Sequence, residues 1–371
     1  MYFKKLQNEL FLTYKRIREI FPIKILLCIC SIFYFLGYKA RLIFYKLGIL
    51  KTNKISPFVI SIGNLTCGGT GKTPVSIELA KYLTSKGYKT AILSRGYKRK
   101  FTDEQNSGNI LVSDGEEILT DYSTSGDEPY LIAKNVPKAI VLSGTDRILN
   151  AQSAIRLGAK IIILDDGFQY LKLHRDENIL IIDKERPFDN GYLLPAGELR
   201  ELPDSIKRAT AIIISNAQST KDDLTLNKIK NYLDSKPLIE MSYKIKHFKG
   251  INIIKTITPN EQKNELQNNK VLAFSGIGNP DSFKNSLTKA GLNITEHLIY
   301  ADHYNYEFED INKIVSIAVK NNIENIITTE KDAIKIEPLC EGAPVTFWYS
   351  VLEINWNTTN PFEQILTKLK G

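Results

Sequence analysis

The stretch 61–83, SIGNLTCGGTGKTPVSIELAKYL, decides the fold, because it joins the end of an apolar run to a glycine-rich turn and an amphipathic segment. The residues PFVISIG (57–63) predict a buried strand, and PVSIELAKYLTSKG (74–87) predicts a helix. A strand that passes through glycines into a helix directs consecutive backbone N–H groups and the helix N-terminus at an anion. The stretch therefore predicts a phosphate-binding loop.

This loop matches the end of the P-loop pattern G-x-x-x-x-G-K-[ST] at Gly71, Lys72 and Thr73, whereas Thr66 stands where the pattern has its first glycine. We expect Lys72 to reach the β- and γ-phosphates and the Thr73 hydroxyl to bind Mg²⁺. The alternative is an ordinary glycine-rich turn. The residues expected to bind the nucleotide are Thr66, Cys67, Gly68, Gly69, Thr70, Gly71, Lys72 and Thr73.

Two adjacent carboxylates, Asp165 and Asp166, follow four apolar residues in IIILDDGFQ (161–169). P-loop enzymes hold their metal with an acidic residue at a nearby strand end. Two carboxylates at a buried strand tip are costly unless a cation or a hydrogen-bond donor compensates them. We therefore expect Mg²⁺ at this position, although Asp-Gly also favours a simple turn.

Short apolar runs alternate with amphipathic stretches after residue 55, which is typical of a mostly parallel sheet covered on both faces. The predicted fold is α/β, with a P-loop NTPase-type sheet, a second, smaller α/β lobe and an N-terminal hydrophobic helix. The expected divisions are an N-terminal membrane-associating segment (1–54), a P-loop domain (55–240), a linker with a possible strand pair (241–268) and a C-terminal lobe (269–371).

The net charge of +8 over 371 residues is distributed unevenly. Residues 1–54 carry eleven Lys and Arg but two Glu, so they hold a net +9 and the rest of the chain about −1. This distribution argues against a protein that coats nucleic acid, and we expect no nucleic-acid partner. The four cysteines show no metal-binding spacing and no disulfide framework, which favours a reducing compartment.

The charged N-terminal segment is also apolar. Its core IKILLCICSIFYFLG (23–37) has fifteen residues, fewer than the roughly 20 of a bilayer-spanning helix. No small-residue cleavage site of a signal peptide follows it. We expect an interfacial anchor, with Lys and Arg at anionic headgroups and apolar side chains in the acyl boundary. A helix packed on the protein's own core is the alternative, and the pattern leaves open whether the segment spans the bilayer or lies on it.

Two other classes of P-loop protein compete with a kinase. A guanine-specific switch should carry Asn-Lys-x-Asp, but the nearest match, TEKD (329–332), has Glu330 in place of the lysine. A deviant-Walker ATPase of the partitioning or division-site type reads K-G-G-x-G-K-T and binds membranes. Here Cys67 replaces its signature lysine. This membrane-associated ATPase remains the alternative function.

Six further polar islands lie along the chain: LSRGYKRK (93–100), GDEPYLIA (126–133), SGTDR (143–147), LLPAGELREL (193–202), ADHYNY (301–306) and TTEKDAIK (328–335). Several follow predicted strands, where α/β proteins place their ligands. Together with the phosphate loop and DDGFQ, this ordered set resembles the tetraacyldisaccharide 4′-kinase family of lipid A biosynthesis over roughly residues 20–340.

The resemblance implies transfer of a phosphoryl group from ATP, with Mg²⁺, to the 4′-hydroxyl of a tetraacylated glucosamine disaccharide 1-phosphate, forming lipid IVA. It also implies a peripheral or monotopic enzyme on the cytoplasmic face of the Gram-negative inner membrane. The expected partners are the lipid disaccharide substrate and a membrane surface bound through residues 1–54. No obligate protein partner is evident from the sequence.

The resemblance further implies roles for single residues. Asp127 would be the base that accepts the proton of the sugar hydroxyl, paired with His303, although an Asp before Glu-Pro is also ordinary helix capping. Arg200 would lie near the transferred phosphate and Glu201 near Mg²⁺. The planar guanidinium of Arg147 suits phosphate oxygens. The alternative for Arg147, Arg200 and Glu201 is a surface ion pair.

Two complete sets follow. The expected catalytic residues are Lys72, Asp127, Arg147, Asp166, Arg200 and His303, and the expected metal ligands are Thr73, Asp165 and Glu201. A basic cluster suited either to the lipid 1-phosphate or to a solvated loop comprises Arg95, Lys98, Arg99 and Lys100.

Overall fold

The structure is a computed structural model that describes residues 21–96, 109–217, 224–233, 235–251, 256–257, 266 and 269–369. The described residues form two compact units. The first contains those up to Ser242 and those from Trp356 onwards, and the second contains those from Tyr243 to Asn355.

The elements follow in chain order. Up to the first residues of β8 they are α1 (Phe21–Lys46), β1 (Phe58–Asn64), α2 (Lys72–Ser85), β2 (Thr90–Ser94), β3 (Ile110–Asp114), α3 (Tyr122–Ser125), α4 (Asp127–Asn135), β4 (Ile140–Ser143), α5 (Arg147–Arg156), β5 (Ile161–Asp165), β6 (Glu177–Asp183), a 3₁₀ helix (Pro203–Arg208), β7 (Ala211–Ser215), α6 (Leu224–Lys230) and β8 (Leu238–Gly250). The remaining elements are β9 (Thr256–Ile257), β10 (Lys270–Ser275), α7 (Pro280–Lys289), β11 (Asn293–Ile299), α8 (Phe308–Lys320), β12 (Asn325–Thr329), α9 (Glu330–Ile336), a 3₁₀ turn (Glu337–Leu339), β13 (Thr346–Trp356) and α10 (Pro361–Ile365).

The strands of the first unit have the order β8-β7-β6-β1-β5-β2-β4-β3. They are parallel, except that β3 pairs antiparallel with β4. β1 lies between β5 and β6, and Ile62 of β1 is in register with Asp165 of β5. Because parallel strands present their carboxyl ends at one edge, the loop after β1 and the carboxylates after β5 lie side by side. The predicted P-loop-type sheet is confirmed.

The core of this unit has the composition that a parallel sheet buried on both faces requires. β1, β2, β5, β6 and β7 are buried along most of their length. Their runs of Ile, Val and Leu remove apolar surface from water on both sides of the sheet, which is the main driving force for folding. The helices α2 and α5 supply small buried residues, such as Ala80 and Ala151, where they pack on the sheet.

The second unit is also α/β, as predicted. Its parallel strands have the order β11-β10-β12-β13, and its helices are α7, α8 and α9. β8 and β9 form a short antiparallel pair at Phe248–Ile257 and Lys249–Thr256. The C-terminal residues from Trp356 differ from the expected division, because they belong to the first unit. There the Lys368 N–H donates to the Glu177 carboxylate, at 3.0 Å.

Helix α1 is longer than the apolar core seen in the sequence. It has 26 residues, because the helix continues through YKARLIFYK. At 1.5 Å per residue it is about 39 Å long. By length and composition it is able to cross a membrane, and most of its surface is exposed. Its large exposed apolar side chains are Phe21, Ile25, Leu26, Ile29, Ile32, Phe33, Leu36, Ile43 and Phe44.

Candidate active site

The phosphate loop has the backbone of an anion cradle. Gly71, at the N-cap of α2, has φ = 89°, and Gly68 has φ = 96°, so both need the left-handed freedom of glycine. No side chain caps α2. A Cβ built on Gly68 or Gly69 would meet nothing within 4 Å, so there is open space beside both glycines. The first N–H groups of α2 and this open turn suit a phosphate.

One hydroxyl of the loop is buried without a partner. Thr70 is 7% exposed, and its Oγ1 has no hydrogen-bond partner among the described residues. A buried hydroxyl without a partner costs free energy, which a phosphate oxygen would recover. The loop residues therefore fit a nucleotide phosphate group.

Thr73 and Asp165 have the chemistry of a Mg²⁺ site. The Thr73 hydroxyl lies 3.4 Å from Asp165 Oδ2, and the Ser76 hydroxyl donates to Asp165 Oδ1 at 2.8 Å. Cis ligands of octahedral Mg²⁺ lie roughly 3 Å apart. Among the described residues no three His, Cys, Asp or Glu side chains form a metal site. Phosphate oxygens and water would therefore complete the coordination.

The electrostatics at Asp165 favour a cation. Burial, together with the nearby Glu128 carboxylate, raises the pKa of Asp165 to about 6, against the hydrogen bond from Ser76. A carboxylate that is costly to ionise without compensation binds a divalent cation with release of its proton. The donors present fit a magnesium ion held between Thr73 and Asp165.

The neighbouring Asp166 has the opposite environment. Its carboxylate accepts two hydrogen bonds from Arg200 Nη1, both at 2.8 Å, and lies 3.8 Å from Lys72 Nζ. Burial alone would raise the pKa of Asp166, but Lys72, Arg200 and Arg147 outweigh it and bring the pKa to about 2. Asp166 therefore stays ionised and holds two of the expected phosphate-binding cations at the strand edge.

Arg147 is hydrogen-bonded to the backbone at the end of β5. It is 4% exposed and donates to the carbonyl oxygens of Asp166 (3.0 Å) and Asp165 (2.5 Å). Its guanidinium lies over the Tyr170 ring, 5.4 Å from the centroid. Burial lowers the pKa of Arg147, opposed by the two aspartates. The structure thus shows Arg147 fixing the DDG turn, and contact with phosphate oxygens stays a prediction.

Arg200 joins the LPAG island to the phosphate loop. Its backbone N–H donates to Leu65 O, and the Cys67 N–H donates to Glu198 O, each at 2.7 Å. Thr66 and Leu199 form an isolated antiparallel β-bridge through their backbones. Burial alone would lower the pKa of Arg200, but the Asp166 carboxylate raises it. The start of the loop and the Arg200 side chain are therefore held as one local structure.

Glu201 is buried, and its partner in the structure is the guanidinium of Arg208. It is 3% exposed and forms a short ion pair with Arg208, whose guanidinium lies 4.8 Å from the Phe168 ring centroid. This pairing compensates the buried charge without a metal. Coordination of Mg²⁺ by Glu201 is therefore a prediction that the geometry does not favour over a structural role.

Asp127 begins helix α4. It is 6% exposed, follows Gly126 at the N-cap, and its Oδ1 accepts from the Glu128 N–H at 2.9 Å. The N-cap of this helix is Gly126 and no side chain caps it, so the bond from the Glu128 N–H is a local contact within the first turn and not the capping that was the alternative to a catalytic role. The role of Asp127 as a base stays a prediction.

His303 lies in the second unit. It has φ = 58°, its N–H donates to Gly276 O at 3.1 Å, and its Nε2 lies 3.0 Å from Lys331 Nζ. Lys331 also approaches Asp302 Oδ1, at 3.6 Å.

Sequence reasoning missed several of these contacts. Ser76 lies one helical turn after Thr73, so its spacing was a signal for the same face of α2. Lys331 lies in the TTEKDAIK island, but only the fold brings it to His303. Of the basic cluster, Lys98, Arg99 and Lys100 lie outside the described residues, as do residues 1–20 of the N-terminal segment.

The parallel sheet, the glycine loop at the start of α2 and the Lys72, Thr73 and Asp165 side chains together define a P-loop protein of the phosphate- and metal-binding class. Comparison with known proteins narrows the class. Residues 23–370 match the family described as tetraacyldisaccharide-1-P 4′-kinase.

Relatives with the same description cover nearly the whole chain. A tetraacyldisaccharide 4′-kinase of Syntrophus aciditrophicus is 38% identical over 94% of this chain and 93% of its own length. One of Halothermothrix orenii is 38% identical over 84% of this chain and 83% of its own. The crystal structure of LpxK from Aquifex aeolicus in complex with ATP superposes with a TM-score of 0.71 at 30% identity, covering 91% of this chain and 96% of that one. The chain belongs to the tetraacyldisaccharide 4′-kinase family.

Proposed function

We propose that the protein is a kinase of lipid A biosynthesis that transfers the γ-phosphoryl group of ATP to the 4′-hydroxyl of a tetraacylated glucosamine disaccharide 1-phosphate. The observation that carries this proposal is the family match over residues 23–370 in a chain whose Lys72, Thr73 and Asp165 form a P-loop site. The product is the 4′-phosphorylated lipid, and ADP leaves.

The reaction needs little covalent help from the protein. The sugar oxygen forms a bond to the γ-phosphorus while the bond from that phosphorus to the β,γ-bridging oxygen breaks. Mg²⁺, when bound at Thr73 and Asp165, neutralises charge on the β- and γ-phosphates. Lys72 and the N–H groups of the loop hold the phosphates, and Arg200, fixed by Asp166, supplies a second positive group at the same edge.

The proton of the sugar hydroxyl must go to a base. We assign this role to the Asp127 carboxylate and expect His303 to act with it, because both residues stand in islands that resemble the family pattern. Asp127 is buried at a helix start, where its orientation is fixed. Position counts for more than base strength in a loose phosphoryl transfer.

The lipid substrate gives α1 a role at a membrane. Its large exposed side chains are mainly apolar, and Lys24, Lys39, Arg41 and Lys46 lie among them. An exposed apolar surface of this size marks a membrane or protein contact, and basic residues favour anionic headgroups. We propose that α1 binds the cytoplasmic face of the Gram-negative inner membrane, where ATP is present.

The decisive experiment is incubation of purified protein with γ-labelled ATP, Mg²⁺ and the tetraacylated disaccharide 1-phosphate. We expect label at the 4′ position of the lipid, and none with the Lys72→Ala variant. Label released only as inorganic phosphate would support the deviant-Walker ATPase instead. No observation on the fold favours that alternative, since Cys67 occupies the position of its signature lysine.

A further inference from the structure

Helix α1, whose large exposed side chains are mainly apolar, carries a row of polar side chains along one face. Ser31, Tyr34, Tyr38 and Arg41 follow each other at intervals of three, four and three residues, so they lie on one face of the helix. Ser31 is the only buried residue of the helix. In an ordinary amphipathic helix the stripe that faces the protein is apolar, whereas in α1 these polar side chains accompany Phe35, which packs on the hydrophobic core. We call these four residues the polar stripe.

Every member of the polar stripe makes a hydrogen bond to the P-loop unit. Ser31 Oγ lies 2.9 Å from Leu193 O and accepts from the Ala196 N–H at 3.1 Å. The Tyr34 hydroxyl donates to Arg200 O at 2.8 Å. The remaining bonds are Tyr38 to the Ser205 hydroxyl at 2.7 Å and Arg41 to Gln169 O at 2.8 Å.

The residues that the polar stripe contacts lie next to the phosphate loop and the Asp165–Asp166 strand end. The segment 193–205 contains Arg200, whose side chain holds Asp166 and whose N–H is bonded to Leu65 at the start of the phosphate loop. Gln169 belongs to the DDGFQ turn, and its side chain donates to Asn64 O at 2.9 Å. The polar stripe therefore touches the backbone on both sides of the Arg200–Asp166 pair.

Hydrogen bonds fix the position of a helix against its neighbour more closely than apolar packing does. They are directional, so they fix the rotation and the axial position of α1 against the segment 193–205. Tyr34 bonds to the backbone carbonyl of Arg200, the same residue whose side chain holds Asp166 at the nucleotide site. A displacement of that carbonyl moves the guanidinium, and small displacements at a phosphoryl-transfer site are costly.

We propose that Tyr34 and Ser31 are positioning residues of the kinase, which fix the segment 193–205 so that Arg200 is held at the phosphate site. This rests on the proposed function. The helix thus serves the membrane with its apolar surface and the catalytic centre with its polar stripe. Neither residue touches the nucleotide site; each acts through Arg200.

The test compares full-length wild-type protein with Ser31→Ala, with Tyr34→Phe and with the double variant Ser31→Ala/Tyr34→Phe, using ATP and the lipid disaccharide in mixed micelles. Tyr34→Phe removes one hydroxyl and keeps the ring. We expect kcat to fall about threefold to tenfold in each single variant and further in the double variant, with the KM for ATP within about twofold. Ser31→Thr, which keeps the hydroxyl, should retain most of the activity that Ser31→Ala loses.

Tyr45→Phe is the matched control, because Tyr45 lies on the same helix and its hydroxyl makes no hydrogen bond to the described residues. We expect wild-type kcat from it. Co-sedimentation with anionic vesicles should be the same for all variants, since the apolar surface of α1 is unchanged. Wild-type kcat in Ser31→Ala/Tyr34→Phe, or a loss of kcat that parallels a loss of vesicle binding, would overturn the proposal.

Hydrogen–deuterium exchange gives a readout that does not depend on the substrate. Arg200 N and Leu199 N donate to Leu65 O and Tyr192 O, so their amides report the order of the segment. Tyr34→Phe should speed exchange in peptides covering 192–202, and Tyr45→Phe should not. Faster exchange together with a wild-type protein that phosphorylates no lipid would refute the proposed function and keep the positioning role. Unchanged exchange in an active enzyme would refute the positioning role alone.

Discussion

The local environment gives the carboxyl groups of two adjacent aspartates very different pKa values. Asp165 ends β5 in a buried position near Glu128, and its pKa is raised to about 6. Asp166, one residue later, has φ = 52°, faces Lys72 and Arg200, and has a pKa of about 2. Divergent pKa values at one site indicate divided roles. Here they suit Asp165 to a metal ion and Asp166 to fixing cations.

The first prediction concerns Lys72. Lys72→Ala should lower kcat by about 10³-fold or more, because it removes positive charge where charge develops on the β- and γ-phosphates. The measurement is turnover with saturating lipid, alongside a thermal melt. Lys81→Ala is the matched control, since Lys81 lies on the same helix in an exposed pair with Glu78. A folded Lys72→Ala protein with wild-type turnover would contradict the P-loop assignment.

The second prediction concerns the pH dependence of stability at Asp166. The pKa of its carboxyl in the folded state is below the unfolded value of 3.8, so its contribution is present above about pH 4 and is lost as the pH falls through 2. That contribution is roughly 2 kcal/mol at neutral pH. Urea unfolding of Asp166→Asn and wild type should differ at pH 6, and the difference should shrink towards pH 2.5.

Asp204→Asn is the comparison for this experiment. Asp204 is an exposed carboxylate paired with Lys207, and exposed pairs add little to stability. Its difference from wild type should be small throughout the pH range. A difference for Asp166→Asn that is the same at pH 6 and pH 2.5 would show that its ion pairs do not stabilise the fold.

At the scale of the element, α1 differs from α2 and α5, which pack on the sheet. The buried faces of α2 and α5 contain Leu79, Leu83, Ala151 and Ala154, whereas α1 buries a serine and exposes most of its isoleucine, leucine and phenylalanine. In water this exposure is unfavourable. The helix is therefore stable where an apolar phase covers its outer surface and hydrogen bonds hold its polar stripe.

The third prediction follows from that outer surface. The triple variant Leu26→Gln/Ile29→Gln/Phe33→Gln should bind anionic vesicles at least tenfold more weakly, because each change removes roughly 1 kcal/mol or more of apolar burial in the acyl boundary. The measurement is co-sedimentation at low and high salt. Wild-type binding should also weaken in high salt, since basic residues contribute. Leu119→Gln, an exposed apolar residue elsewhere, is the control.

The outcome is informative in either direction. The three glutamines leave Ser31 and Tyr34 in place, so turnover on micellar substrate should persist while vesicle binding falls. Unchanged sedimentation of the triple variant would mean that another surface holds the membrane.

At the scale of the whole molecule, the predicted chemistry draws on both compact units. Asp127 belongs to the P-loop unit and His303 to the second unit. The two residues are 176 positions apart, so no local pattern relates them. Their joint action on the sugar hydroxyl is a prediction from family resemblance, and kinetics can test it without reference to a distance.

The fourth prediction is a double-mutant cycle on these residues. Asp127→Ala and His303→Ala should each lower kcat by about 10²–10⁴-fold with little change in the KM for ATP. The double variant should be little slower than the slower single variant, because residues that act as a unit lose their function together. His174→Ala, at an exposed histidine, is the control. Losses that multiply would show independent roles, and a change in the KM for ATP alone would place His303 at the nucleotide.

The sequence by itself determined the P-loop sheet, the second α/β lobe and the candidate nucleotide residues. The glycines, the lysine and the threonine of the loop must be close in sequence to surround one phosphate group, so a short motif is enough to find them. The apolar strands are equally easy to predict, because a strand buried on both faces has a continuous run of Ile, Val and Leu in its sequence. An N-terminal apolar helix was visible for the same reason, although its full length was not.

Only the tertiary structure decided what each charged group faces. It placed Arg200 on Asp166, Arg208 on Glu201 and Lys331 beside His303, none of which a local pattern indicates. It also turned the polar stripe of α1 towards segment 193–205, more than 150 residues away along the chain. The physical reason is that hydrogen bonds and ion pairs depend on distances of a few ångströms, and strand order, not sequence separation, sets those distances.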